Sequence, residues 1–247
     1  MDLGLTGRTA IVCASSSGLG RACANSLARE GANIVLNARN EESLASTAGV
    51  LARAHPRVVI TYVVGDIGDA AVRRQLVASV DRVDILVTNA GGPPVGDFHK
   101  LQSHQWHSAV EQNLLSAIDL IGLSIEAMRY HRFGRIINIA SSMARQPRLP
   151  FALSGVTRAG LVNFCCGLAG ELVGSGVTVN SILPGPFATA RLDGTRQAQG
   201  QTGSAHIDPG DPDDLGDMCA FLCSKQAGTI NGEAIVMDGG RQYSVID

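Results

Sequence analysis

The chain has 247 residues, 45% of them hydrophobic and 17% charged, with a formal net charge of −2. This composition excludes an intrinsically disordered chain, and the balanced charge, with no Lys/Arg-rich run, argues against nucleic acid or an acidic membrane surface as partner. A chain of this length buries one large core, so a single domain over residues 1–247 is expected.

Met1-Asp2-Leu3-Gly4-Leu5 carries no basic segment ahead of an apolar one, and no apolar run approaches the roughly 20 residues of a membrane span. A soluble, cytoplasmic protein is the expectation. Of the six cysteines, Cys219 and Cys223 stand at helical i, i+4 spacing. No second Cys/His pair lies nearby at ligand spacing, so these two, with Cys165 and Cys166, read as core and no metal is expected.

In chain order, short Val/Ile-rich runs recur at Ala10–Val12, Ile34–Leu36, Val58–Ile60, Ile85–Val87, Ile136–Ile139, Val177–Val179 and Ala234–Met237. They do not alternate with polar residues, as befits strands buried on both faces of a parallel sheet. Helical patterns fill the gaps. The longest runs from about Ser103 to Tyr130, with Val110, Leu114, Ile118, Ile121, Ile125 and Met128 at three- and four-residue steps, and another runs from about Leu153 to Val173. The expected fold is α/β: a Rossmann-type, doubly wound, seven-stranded parallel sheet with helices on both faces and its site at the carboxyl ends of the strands. Residues 191–214, rich in Gln, Gly, Ser, Thr, Asp and Pro, show no clear periodicity and read as a substrate lid or as a plain loop.

The first strand turns through Cys13-Ala14-Ser15-Ser16-Ser17-Gly18-Leu19-Gly20 into a helix. Small residues at a helix N-terminus leave backbone N–H donors free, and with the helix dipole these suit a pyrophosphate. The candidates are Ala14, Ser15, Ser17, Gly18, Leu19 and Gly20, although small residues also serve ordinary strand-to-helix turns.

Over essentially its whole length the sequence resembles the short-chain dehydrogenase/reductase family, in particular its 3-oxoacyl-(acyl-carrier-protein) reductase branch. The family's Thr-Gly-x-x-x-Gly-x-Gly turn corresponds to Cys13-Ala14 followed by Gly18-Leu19-Gly20. Ala14 keeps such a turn if its φ stays negative, while its methyl limits the approach of phosphates. The resemblance further assigns Asp66-Ile67 to adenine, Asn89-Ala90-Gly91 to the turn after the fourth strand, and Pro184-Gly185 with Thr189 to the nicotinamide end. Asp238-Gly239-Gly240 also agrees with the family pattern.

An acidic residue at the end of the second strand serves the ribose of NAD. Ala38 stands there instead, followed by Arg39, whose guanidinium suits a 2′-phosphate. NADP(H) is therefore expected over NAD(H).

The family's catalytic set is Asn, Ser, Tyr and Lys. Asn113 and Ser141 fall at the first two positions, but Ser154 and Arg158 stand where the resemblance expects the Tyr and the Lys. Four residues apart on one helical face, Ser154 and Arg158 are both expected to point at the cofactor. A serine is a far weaker acid than a tuned phenol, and Arg keeps its proton. Three readings follow: a carbonyl or alcohol oxidoreductase whose proton comes from an ordered water, Ser142 or His206; a non-catalytic NADP(H)-binding sensor or partner subunit; or other chemistry such as hydration or isomerisation. His104, His107 and His131 read as surface helix residues, His131 favourably placed at a helix C-terminus. The family's habit and the apolar segments Ala220–Cys223 and Ala234–Met237 imply a homodimer or homotetramer.

Overall fold

The structure, a computed structural model, describes residues 1–198 and 208–241. Seven strands form one wholly parallel sheet: β1 (Thr9–Val12), β2 (Asn33–Ala38), β3 (Ile60–Val64), β4 (Ile85–Thr88), β5 (Gly134–Ile139), β6 (Val177–Pro184) and β7 (Ala234–Met237). Their order is β3-β2-β1-β4-β5-β6-β7. The order reverses between β1 and β4, which opens a crevice at their carboxyl ends, and this is where such sheets bind ligands.

Alternate side chains of each strand serve opposite layers. Ala10, Val12, Ile34, Leu36, Ile85 and Val87 pack against Cys23, Leu27, Leu44 and Leu222. Ile11, Val35, Leu86, Ile136 and Val179 pack against Leu76, Leu120, Ile121, Leu161 and Cys165. The first layer is built by α1 (Gly18–Arg29), α2 (Glu41–Ala54) and α8 (Pro212–Cys223), the second by α3 (Ala70–Ala78), α5 (Ser116–Tyr130) and α6 (Ala152–Glu171). The architecture is the expected one.

Several elements differ from the sequence reading. The third strand is Ile60–Val64 rather than Val58–Ile60, because an edge strand exposes Thr61 and Tyr62 and so carries no continuous apolar run. The long helix is broken: α4 (Ser103–Val110) passes through a π-helical turn at Glu111–Leu115 before α5. The segment starting at 191 is not wholly irregular, since α7 spans Ala190–Ala198 and α8 begins at Pro212. Cys166 is exposed while Cys165 is buried, as neighbours on a helix face about 100° apart. Leu149–Glu171 is, by length and mean hydropathy, apolar enough to cross a membrane, contrary to the sequence reading. Here it forms α6 and the short turn before it, with Leu153, Leu161 and Cys165 laid against the sheet.

Candidate active site

β1 delivers the chain into the first turn and α1 receives it. Ser15 is fully buried and turned inward: its hydroxyl donates to the Val12 carbonyl at 2.8 Å and accepts from the Asn37 N–H at 3.1 Å, while its own N–H donates to the Asn37 carbonyl at 3.0 Å. Ser15 is therefore a bracket between β1 and β2 and not, as the sequence suggested, a free donor for a ligand. Ser17, by contrast, is exposed, and its hydroxyl caps nothing at the start of α1. The first-turn amides of α1 therefore face the crevice without a side-chain acceptor.

Gly18 has φ 55°, a left-handed value natural to glycine, and Gly20 has no room for a Cβ, which would collide with the Ala14 carbonyl. Ala14 itself has φ 47°. The condition of a negative φ is not met, and an L-residue holds the strained position that the family fills with glycine. Beside it, burial pushes the Cys13 thiol up to about 12, so no thiolate borders the turn at neutral pH. Leu19 packs from α1 onto the first layer, and a Cβ built at Gly18 would meet the Thr189 methyl at 3.5 Å, which brings the loop after β6 over the turn.

At the far end of the crevice, Arg39 is exposed, with its Nη1 3.9 Å from an oxygen of Asp66. Its guanidinium also overhangs Gly91, where a Cβ would lie 3.9 Å from Nη2. Asp66 accepts the Gly68 N–H at 2.9 Å, and Ile67 is buried. Arg73, which the sequence reading passed over, holds this corner: it donates to the Ile67 carbonyl at 2.8 Å, to Asp119 at 2.6 Å and to Glu111 at 3.1 Å. Glu111 opens the π-helical turn, so the Asp66-Ile67 corner and that turn are tied by one buried guanidinium.

The middle of the crevice follows β4. Asn89 reaches back to the Ala14 carbonyl at 3.4 Å. The Gly185 N–H donates to the Met237 carbonyl at 2.8 Å, and a Cβ at Gly185 would strike Asp238, so Pro184-Gly185 lies against the end of β7.

The four positions expected to be catalytic fall on three elements around this point. Asn113 is buried in the π-helical turn, its amide donating to the Ala109 carbonyl at 3.1 Å. Such single π-helical turns are frequent at functional sites. Ser141 ends β5 and accepts the Met143 N–H at 3.2 Å. Ser154 is half-buried on α6, and its hydroxyl has no partner among the described residues.

Arg158, expected to point at the cofactor, lines one cavity with Asn89, Ala90 and Asn113 while its Nη groups bond protein acceptors. It is 6% exposed and donates to the Ile139 carbonyl, to the Asn113 Oδ1 at 3.0 Å and to the Ala90 carbonyl at 3.4 Å. Its long fork spends these donors on the scaffold, joining the ends of β4 and β5 to the π-helical turn. Burial, and secondarily the charge of Arg191, lower its pKa to about 10, so it remains a cation at neutral pH. A small cavity lies beneath, lined by Thr88, Asn89, Gln112, Asn113, Ser116 and Arg158 among others.

Ser142 is buried in the short turn after Ser141, and His206 lies outside the described residues. Among the described residues no group of His, Cys, Asp and Glu is placed to hold a metal. Arg191, in α7, was also missed; its guanidinium donates to the Pro93 carbonyl. The available signal was a cation in the first turn of a helix, where the dipole disfavours it.

The chain matches the family described as enoyl-(acyl carrier protein) reductase over residues 13–242. It is 30% identical over 239 residues to the 3-oxoacyl-(acyl-carrier-protein) reductase FabG of Rickettsia conorii, covering 96% of this chain and 97% of that one. It is 27% identical over 256 residues to the NADPH-dependent reductase BacG of Bacillus subtilis, covering 96% and 99%. Among solved structures it superimposes with a TM-score of 0.90 on the L-sorbose reductase of Gluconobacter frateurii complexed with NADPH and L-sorbose, at 31% identity over 97% and 98% of the two chains.

Proposed function

The chain belongs to the short-chain dehydrogenase/reductase family, and from that premise we propose that it is an NADP(H)-dependent oxidoreductase interconverting a carbonyl and a hydroxyl on a small molecule. The observation that carries this reading is the pairing of two anion-binding features across one crevice. One is the uncapped first turn of α1, and the other is the Arg39 guanidinium at the end of β2, with no carboxylate on that strand end. Gly18, Leu19 and Gly20 would take the pyrophosphate, Arg39 the 2′-phosphate, Asp66 and Ile67 the adenine side, and Asn89 to Gly91 with Pro184, Gly185 and Thr189 the nicotinamide side. The related reductases named above that are described with NADPH support the same choice.

NADPH held there would supply the hydride for the carbonyl carbon. The chain's own residues then manage the oxygen. The Ser141 and Ser154 hydroxyls are the donors available to it, and the Arg158 cation lies behind them. Neither serine is acidic enough to surrender a proton at neutral pH, so the proton comes from water through these hydroxyls, and turnover lacks the ~10²–10⁴ that a tuned general acid contributes. Asn113, held by Arg158, fixes the π-helical turn beside them.

A second reading, an NADP(H) sensor or partner subunit without turnover, is favoured by one observation: both Nη groups of Arg158 are engaged by the scaffold. NADPH oxidation across short 3-oxoacyl thioesters, quinones and simple ketones separates the two. Slow saturable turnover supports the oxidoreductase, while binding without turnover on all of them supports the sensor. We also propose a homodimer or homotetramer in the cytoplasm.

A further inference from the structure

Two arginines close on one short loop. Arg158 donates to the Ala90 carbonyl at 3.4 Å, and Arg191 donates to the Pro93 carbonyl. The Arg191 guanidinium lies on the Gly92 backbone, where a Cβ would stand 2.8 Å from its Cζ. The Gly96 N–H of the same loop donates at 3.0 Å to the Pro150 carbonyl, on the segment that leads from Ser141 to α6. The loop after β4 is therefore tied both to the start of α7 and to the segment that joins Ser141 to α6.

Among the described residues no carboxylate pairs with Arg158 or Arg191. The Nε of Arg158 is buried with no partner. Arg158 is buried, and a buried cation is costly unless an anion or a full set of acceptors surrounds it, whereas Arg191 is exposed and open to a ligand from solvent. Arg191 adds a second cost, since it stands in the first turn of α7, at the positive end of the helix dipole. Desolvation lowers the pKa of both, and the charge of Arg191 adds to the effect on Arg158. A buried cation, with an exposed one beside it at a helix N-terminus and no carboxylate paired to either among the described residues, favours a negative ligand.

We propose that Arg191 is a specificity-determining residue and that the carbonyl substrate carries a carboxylate, gripped by Arg191 beside the loop after β4, over the field of Arg158. The Arg191 N–H groups not used by Pro93 form the fork that matches a carboxylate with two parallel hydrogen bonds. This inference rests on the reading of the crevice as an NADP(H) site. The pyrophosphate of the dinucleotide offers the same anionic chemistry, and the experiment separates the two.

NADPH is titrated by its fluorescence into the full chain, unmodified and with Arg191→Ala or Arg191→Lys. Acetoacetate, levulinate and 2-oxobutyrate, and then their ethyl esters, are added to each complex. The expected result is that acids bind the unmodified complex more tightly than esters. Arg191→Ala should weaken acid binding roughly ten- to a hundredfold and abolish that preference, Arg191→Lys should restore part of it, and NADPH affinity should change far less. The inference is overturned if acids and esters bind alike, or if no acid binds a complex that does hold NADPH. It is equally overturned if Arg191→Ala weakens NADPH by the larger factor and leaves the preference intact, since Arg191 then serves the pyrophosphate. Failure of the unmodified chain to bind NADPH removes the dinucleotide reading itself and this inference with it.

Discussion

Ala14→Gly isolates the first turn. Ala14 holds φ 47°, and an L-residue in the left-handed region costs about 1–2 kcal/mol. Glycine removes that cost but frees the unfolded chain, which returns about 0.4–1 kcal/mol. The net is a stabilisation of up to about 1.6 kcal/mol, and for a chain of this length that corresponds to a rise in Tm of up to roughly 6 °C. The same change deletes the methyl beside the first-turn amides of α1, so NADPH should bind more tightly as well. Thermal unfolding without nucleotide reads the first effect and calorimetric titration the second. A lowered Tm would refute the left-handed assignment. A higher Tm with weakened NADPH binding would refute the placement of the pyrophosphate there.

Arg39→Ala should weaken NADPH about ten- to a hundredfold while leaving NADH nearly untouched, because a charge-assisted contact of about 1.5–3 kcal/mol serves only the 2′-phosphate; parallel titrations of both nucleotides check this. Ser154→Tyr should raise the rate of NADPH oxidation on any carbonyl the chain accepts, toward the ~10²–10⁴ that a general acid contributes, and the rate measured with and without the substitution decides it. Arg158→Leu should lower stability by at least about 1–3 kcal/mol in urea unfolding, since the Ile139, Ala90 and Asn113 acceptors lose their donor. A thiol reagent should label Cys166 on the native chain and reach the other five cysteines after unfolding, as those five are buried; mass mapping of the labelled positions tests it.

The sheet was legible in the sequence wherever strands are buried on both sides, because burial demands runs such as Ile136–Ile139. It failed at β3, where one edge faces solvent and Tyr62 interrupts the run. The π-helical turn leaves no trace in composition, since apolar residues at three- and four-residue steps continue through Leu114 and Leu115. α7 was missed because a polar helix lying on a cleft needs no apolar stripe. At the candidate site, motif order singled out Asn113, Ser141 and Ser154, but no pattern could tell that Ser15 turns inward or that Arg158 bonds the scaffold. Those outcomes depend on which acceptors the fold leaves within reach, and that is a property of three converging strand ends.

The central claim is that the crevice between β1 and β4 holds an NADP(H) dinucleotide. Calorimetric titration of the unmodified chain with NADPH and with NADH tests it most directly. The account predicts one saturable site per chain with NADPH bound at least about tenfold more tightly, the difference one charge-assisted phosphate contact makes. Equal affinity would contradict the role of Arg39, and absence of binding by either nucleotide would contradict the account as a whole.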